Sequence, residues 1–340
     1  EIYMGDWSSD VCSSDLWEDQ VLKESRAERT ARAVNHAKAS LLAGFTTLRD
    51  LGTEGSLYDD VGLKTAIIKG VIPGPHLLVA TKAIVVTGSY APKPASPDMV
   101  LPQGAAEAGN SEELAKEVRA QLGRGADWIK LYADYRIGND DRSQPTFSED
   151  EMRLAVQLAA SNNRLVAAHS STPEGMRRAT MAGVATIEHG DNGTPEVFRL
   201  MKEKGVALCP TLAADEAVSQ YKGWKKGIDP EPQSVQQKRK SFAAALEAGV
   251  TIVMGGDVGV FTHGDNAREM ELMVEYGMKP VDVLKSATAV NADVFKINDK
   301  TGRIKPGLAA DIVVVEGNPV SQISHIRKVK LVMKDGKIYK

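Results

Sequence analysis

Short apolar runs alternate along the chain with stretches in which apolar residues return every third or fourth position. Runs starting at Phe45, Leu77, Trp128, Leu165, Thr186, Val206 and Thr251 are a few residues long and rich in aliphatic side chains. That is the mark of strands buried on both faces of a parallel sheet. Helical spacing fills residues 17–43, 58–69, 111–123, 148–160, 172–182, 196–203, 235–248, 266–276 and 281–292. Residues 164–190 hold the clearest repeat. Leu165-Val166-Ala167-Ala168 ends in His169, and Val184-Ala185-Thr186-Ile187 leads to His189. Between them Thr172-Pro173-Glu174 opens a helix that Ala182-Gly183 closes, with proline just inside the start and glycine just past the end. The unit is strand, helix, strand. It puts both histidines at the C-terminal ends of parallel strands, the face of an α/β barrel that carries the chemistry.

Seven strand–helix units are visible, one fewer than a closed (β/α)8 barrel contains. The pattern predicts a TIM-like barrel over residues 17–300 that lacks its first strand in this chain. From residue 301 the texture changes to short β runs at Ile312, Val329 and Lys337, with Asp335-Gly336 as a hairpin signal, so residues 301–340 are expected to form part of a small β domain. Two loops are too long to be simple connections. Residues 87–110 contain Pro92, Pro94, Pro97 and Pro102, and residues 133–146 are irregular. Loops of this size at strand ends are expected to touch substrate. Residues 1–16 have a Ser-Ser-Asp repeat, neither period, and no signal-peptide layout, so they are expected to be a non-native leader. Localisation is left open.

Composition narrows the function classes. The 340 residues are 42% hydrophobic and 26% charged with net charge −3, ordinary for a globular enzyme and unlike a nucleic-acid or anionic-membrane binder. No run is long and apolar enough to span a bilayer. Cys12 and Cys209 form no disulfide framework and no CxxC zinc signature; Cys209 follows Val206-Ala207-Leu208 and is expected to be a buried strand residue.

Four polar residues end or interrupt apolar strands in chain order: Lys130, His169, His189 and Asp257. A single histidine after a strand is usually structural, but two at equivalent positions of neighbouring units suit a metal, whose commonest protein ligand is neutral imidazole. Lysine is almost never fully buried without a partner, so Lys130 either snorkels to solvent or is a reactive amine with a depressed pKa. Asp257 after Met254-Gly255-Gly256 is either a helix cap or a metal-binding or general-base carboxylate. His36 lies within the first helix and has no expected catalytic role.

These positions, with Gly44-Phe45-Thr46-Thr47-Leu48-Arg49-Asp50, Gly125-Ala126-Asp127-Trp128-Ile129-Lys130, Gly255-Gly256-Asp257 and Gly307-Leu308-Ala309-Ala310-Asp311-Ile312-Val313-Val314, resemble the metal-dependent amidohydrolase superfamily, in its imidazolonepropionase-like and Xaa-Pro dipeptidase-like branch. The resemblance implies two divalent ions, Zn2+ first among the candidates, bridged by a carbamylated Lys130. His169 and His189 would ligate one ion. Asp257 would ligate the other and take the proton of the bridging water. It implies hydrolysis of an amide or peptide bond in an N-acyl amino acid or dipeptide, carboxypeptidase-like and extending to ochratoxin-type amides. A small-molecule or dipeptide substrate and a possible homo-oligomer go with it. Tyr90, Tyr135, Arg136 and His263 are the expected substrate contacts, around a C-terminal carboxylate; Arg136 could instead pair with Asp140 or Asp141. Two departures stand out. No two histidines are separated by one residue, so the family's His-x-His has no match, and Gly88-Ser89-Tyr90 stands where a Gly-Gly-His is common. The alternatives are a cyclic-amide hydrolase or deaminase of the same superfamily, against which Lys130 argues, and a truncated inactive remnant holding fewer than two metals. The missing strand also predicts unpaired edges along residues 45–48 and 251–254.

Overall fold

The computed structural model describes residues 16–90, 98–137 and 142–340, so residues 1–15 with Cys12, and Pro92, Pro94, Pro97, Asp140 and Asp141, lie outside the described residues. The first helical region is two helices, α1 (Leu16–Lys23) and α2 (Arg26–Leu42), because Ser25 caps α2 by accepting from the Glu28 amide. Then come β1 (Thr47–Asp50), α3 (Asp59–Ile68), β2 (His76–Val79), β3 (Ile84–Val86), β4 (Ala106–Ala108), α4 (Ser111–Gly123) and β5 (Trp128–Tyr132). A small ribbon, β6 (Asp134–Tyr135) and β7 (Gln144–Pro145), precedes α5 (Glu149–Ala160) and β8 (Leu165–Ser170). The repeat continues with α6 (Pro173–Ala182), β9 (Thr186–His189), α7 (Pro195–Lys204), β10 (Ala207–Cys209), α8 (Leu212–Tyr221) and α9 (Gln233–Ala248). After α10 (Ala267–Glu275) and α11 (Pro280–Lys285), one π-helical turn over Ser286–Val290 leads into α12 (Asn291–Val294).

A six-stranded sheet has the order β10-β9-β8-β5-β3-β4, and β1 and β2 form a two-stranded sheet beside it. β1 pairs with β2 in parallel, β5 with β8, β8 with β9 and β9 with β10. The Asp127 amide donates to Val79 O (2.7 Å), joining β2 to the start of β5, and a parallel bridge links Leu208 to Ile252. The sheet is curled. Arg49 of β1, in the two-stranded sheet, reaches Glu188 of β9, in the six-stranded one, at 2.9 Å across the enclosed space. On β5 and β8 the pleat sends Ile129, Leu131, Val166 and Ala168 into the main core beneath the helices. Trp128 and Ala167 point the other way, into the space the sheet encloses, and Lys130 shares their side of the pleat.

The structure differs from the sequence reading at further points, among them the strand expected from Thr251, which is reduced to the single bridge at Ile252. The strand expected from Leu77 to Val86 is broken into β2 and β3 at Thr81, whose left-handed backbone (φ 62°) is held by the buried Asp60 carboxylate, 2.7 Å from its amide. The Pro-rich loop contributes a strand, since β4 pairs in parallel with β3. The edge at Met254 is capped rather than open: Asn291 accepts from the Met254 amide (3.0 Å) and donates to its carbonyl (2.9 Å). π-Turns such as the one next to Asn291 are frequent at functional sites. The C-terminal residues form the expected antiparallel sheet, β11 (Ile312–Val315), β12 (Val329–Lys334) and β13 (Lys337–Ile338), turned at Asp335-Gly336 with φ of 51° and 75°. Among the described residues no helix is long and apolar enough to cross a membrane.

Candidate active site

Lys130 is buried, 4% exposed, in the middle of β5. Burial pushes its ammonium below the usual lysine range, although the carboxylates of Glu188 and Asp257 pull the other way. Its Nζ lies 5.6 Å from the centre of the Tyr132 ring. The Tyr132 ring stacks in turn on His169, with centroids 4.4 Å apart and planes 14° apart. His169 meets His189 edge-on at 4.5 Å. Lys130, His169 and His189 are thus brought together, as their strand-end positions predict.

His189 reaches this space against the pleat. Thr186 and Glu188 face Arg49 across the enclosed space, whereas Ile187 packs under the helices. Simple alternation would send His189 with Ile187. Its left-handed backbone (φ 74°) turns it inward instead. Thr211 (φ 50°), just past β10, and Asp257 (φ 58°), beyond the bridge at Ile252, share this conformation. Non-glycine residues held there cost about 1–3 kcal/mol each and cluster at functional sites. Thr211 Oγ1 bonds His189 Nδ1 at 2.8 Å, so Nε2 is the nitrogen left to face the site. Burial, with Lys130 nearby, holds both histidines well below the usual imidazole range, His169 lowered further by His189. They are neutral and able to ligate.

Asp257 is open to solvent on one side yet crowded by protein on the others. Burial raises its carboxyl, and Lys130 only partly offsets this. Gly255 is required by packing: a Cβ there would stand 2.6 Å from Sγ of Cys209, itself buried as expected.

Several supporting residues carry no local sequence signal. Asp134 is fully buried and accepts from Ser170 Oγ (2.7 Å), the Ser171 and Thr172 amides (2.8 Å each) and Thr172 Oγ1 (2.7 Å), fixing the turn after His169. Lys238, 2% exposed on α9, donates to His189 O (2.9 Å) and to Asp191 (2.5 Å). Their partners lie 36 to 49 residues away, beyond any periodicity.

Of the expected substrate contacts, three are gathered. Tyr90 lies 4.9 Å from Tyr135, centroid to centroid, and Arg136 donates to the Tyr135 hydroxyl at 3.1 Å. His263 stacks instead on His36 at 4.0 Å. Burial, then His36 and Arg32, push His263 down to about 3. A base whose folded pKa is depressed stays neutral in the fold while the unfolded chain takes up a proton below about 6.5, so stability falls from there towards the folded value. Wild type is therefore expected to lose about 1 kcal/mol more than His263→Gln between pH 7 and pH 5, after allowance for solvent screening. Urea unfolding at the two pH values measures this; parallel losses would refute it.

A second cluster joins the far end of the molecule. His76 Nε2 lies 3.3 Å from Asp311 and 3.4 Å from Asp335. These three could hold an ion, since their ligand atoms lie within 4.8 Å of one another. His76 opens β2, so the cluster sits at the N-terminal strand ends, opposite the histidine face, where it ties β11 and β12 to the barrel.

Two neutral histidines at the C-terminal ends of parallel strands, with a buried lysine beside them, occupy the face that carries the catalytic groups in α/β-barrel enzymes. Residues 4–339 match the Amidohydrolase family, and the chain belongs to it. A Xaa-Pro dipeptidase solved with methionine in its active site is 32% identical, covers 94% of this chain and 80% of its own, and superposes with a TM-score of 0.83. A prolidase solved with N-methylphosphonate-L-proline is 27% identical over 97% and 83% of the two chains, also with a TM-score of 0.83. The ochratoxinase of Aspergillus niger is 31% identical over 92% of this chain and 69% of its own. The chain is thus a hydrolase acting on carbon–nitrogen bonds, built on the TIM-barrel fold of a generally metal-dependent family.

Proposed function

We propose that the chain hydrolyses the amide bond of an N-acyl amino acid or a dipeptide at a divalent-metal centre held by Lys130, His169, His189 and Asp257. The observation that carries this is His169: both its ring nitrogens are buried without a hydrogen-bond partner among the described residues. Such orphans are rare and call for an explanation. The donor set, two neutral imidazoles, a carboxylate and a lysine that burial disposes to lose its proton, fits a divalent cation such as Zn2+. Such cations would acidify a water and polarise the scissile carbonyl, and Lys130 would serve as a ligand once its neutral amine has taken up CO2 as a carbamate and released a proton. Asp257 takes the water's proton and returns it to the leaving amine; burial raises its carboxyl, which makes it a better base than an ordinary aspartate. Thr211 holds the His189 ring, and Lys238 and Asp134 hold the backbone on either side of the two histidines. In this reading residues 17–300 form the catalytic barrel and residues 301–340 the appended β part.

Arg136 and Tyr135 are the proposed donors to the substrate's C-terminal carboxylate, since arginine can bind one with two parallel bonds. Charge-assisted bonds of this kind contribute roughly 1.5–3 kcal/mol, a factor of about 10–100. The test compares an N-acyl amino acid with its C-terminal amide in the presence of Zn2+, Mn2+ or Co2+. The free acid is expected to have the higher kcat/KM by that factor, and equal values would refute carboxylate recognition.

A further inference from the structure

Glu54 is a carboxylate that neither the sequence reading nor the reaction above accounts for. It lies in the loop after β1 in a left-handed conformation (φ 43°). Its position is built rather than incidental. Arg29 of α2 donates to the carbonyls of Glu54 (2.6 Å) and Thr53 (2.9 Å), clamping the loop from outside and leaving the carboxylate itself alone. Tyr90, 5% exposed, donates its hydroxyl to Glu54 Oε2 at 2.8 Å. The Tyr90 ring packs at 5.2 Å on Tyr132, the ring that stacks on His169. Glu54 therefore sits behind the aromatic wall of the active site. It is close enough to feel the charges of both Asp257 and Lys130, and burial pushes its carboxyl up to about 7. Among the described residues no cationic side chain forms an ion pair with it. A half-buried carboxylate whose one side-chain donor among the described residues is neutral gains from the arrival of a cation. Tyr90 and Tyr132 would present ring faces to such a cation, which adds attraction.

We propose that Glu54 selects substrates with a free, protonated α-amino group, so that the site takes dipeptides in preference to N-acyl amino acids. This rests on the amide-hydrolase reading above and narrows its substrate class. Covalent geometry supports the placement. The α-nitrogen is two bonds from the scissile carbonyl carbon, about 2.5 Å away, so a carboxylate that recognises it must lie beside the reacting groups. An N-acyl group offers Glu54 no positive charge and leaves it half-buried without a counter-ion. A substrate carboxylate would be repelled there, which directs the acidic end towards Arg136. Tyr90, whose hydroxyl is committed to Glu54, thereby belongs to the amine end of the site and not to the carboxylate end.

The experiment measures kcat/KM for a dipeptide such as Ala-Pro and for its N-acetyl derivative, at equal metal loading. Wild type is expected to favour the free dipeptide by about tenfold or more, the size of one charge-assisted contact. Equal values in wild type overturn the proposal without any variant. Glu54→Gln removes the charge at constant shape and is expected to lower the dipeptide-to-acetyl ratio about tenfold, while Glu54→Asp retains most of the preference. A ratio that stays within about twofold in Glu54→Gln, both substrates slowing together, shows a structural role and overturns the proposal. Hydrolysis of neither substrate by metal-loaded wild type removes the amide-hydrolase reading and this proposal with it. Hydrolysis of both with an unmoved ratio removes this proposal alone.

Discussion

Lys130→Ala is expected to abolish metal-dependent hydrolysis, with kcat at least about a thousandfold lower and less metal retained on purification. The size follows from the residue's double part in the proposal: it supplies a ligand atom and sets the separation of whatever the histidines and Asp257 hold. Losing a residue that acts as one member of a catalytic unit costs nearly as much as losing the unit. A loss of packing is the competing explanation, and the burial of Lys130 allows the two to be separated. An amine 4% exposed with a depressed pKa is a cost to the fold, not a support. Lys130 forms no ion pair among the described residues, so replacing it by an apolar side chain of similar volume removes the cost of burying an unpaired amine. Lys130→Met should therefore keep or raise the unfolding temperature while activity disappears. A short carboxylate such as formate, placed in the space left by Lys130→Ala, should restore part of the rate. Hydrolysis by Lys130→Ala at the wild-type rate without added carboxylate would refute the assignment.

How far the sequence reveals this site depends on how local each cause is. Lys130 is legible because Trp128, Lys130 and Tyr132 alternate with Ile129 and Leu131, and the pleat is a two-residue rule. His169 follows the same rule. His189 does not: it was expected at the right strand end, but alternation alone would have buried it under α7, and only its left-handed backbone brings it to His169. No periodicity encodes that single torsion. Asp134, Lys238 and Asn291 were missed because each acts on backbone far along the chain, where composition carries no signal. Glu54 was missed because a glutamate between Thr53 and Gly55 looks like any solvated turn, and the neighbours that make it unusual, Tyr90 and Arg29, come from a distant loop and from α2. The break at Thr81 was illegible for a related reason: an apolar run shows that a segment is buried, not that a buried Asp60 pulls its middle amide aside.

The second large effect concerns stability. Arg49→Met is expected to destabilise the fold by about 3–5 kcal/mol, the usual result of removing one partner from a buried ion pair. Arg49 and Glu188 have side chains only 5% and 3% exposed, and one guanidinium nitrogen lies 2.9 Å from each carboxylate oxygen. The other terminal nitrogen bonds Thr186 Oγ1 at 2.9 Å, and the guanidinium stands 4.6 Å from the Trp128 ring and 4.5 Å from the Phe295 ring. A lysine could not reproduce this planar, stacked arrangement, so Arg49→Lys should recover only part of the loss. Burial pushes Glu188 up, but Arg49 and Lys130 outweigh it and hold the carboxyl below its ordinary value. Without Arg49 that carboxylate keeps Lys130, Thr186 and Cys209 nearby, and it should take up a proton or turn towards Lys130. The double variant Arg49→Met/Glu188→Met separates the pair's own contribution from the penalty of leaving one charge behind. It should be more stable than Arg49→Met alone, because no uncompensated charge remains inside the sheet. Its activity should still suffer, since Glu188 is also a neighbour of Lys130 and immediately precedes His189. Denaturant unfolding of the two single variants and the double variant gives the coupling energy directly. Additive losses would show that Arg49 and Glu188 act independently, and that the ion pair is not what closes β1 against β9.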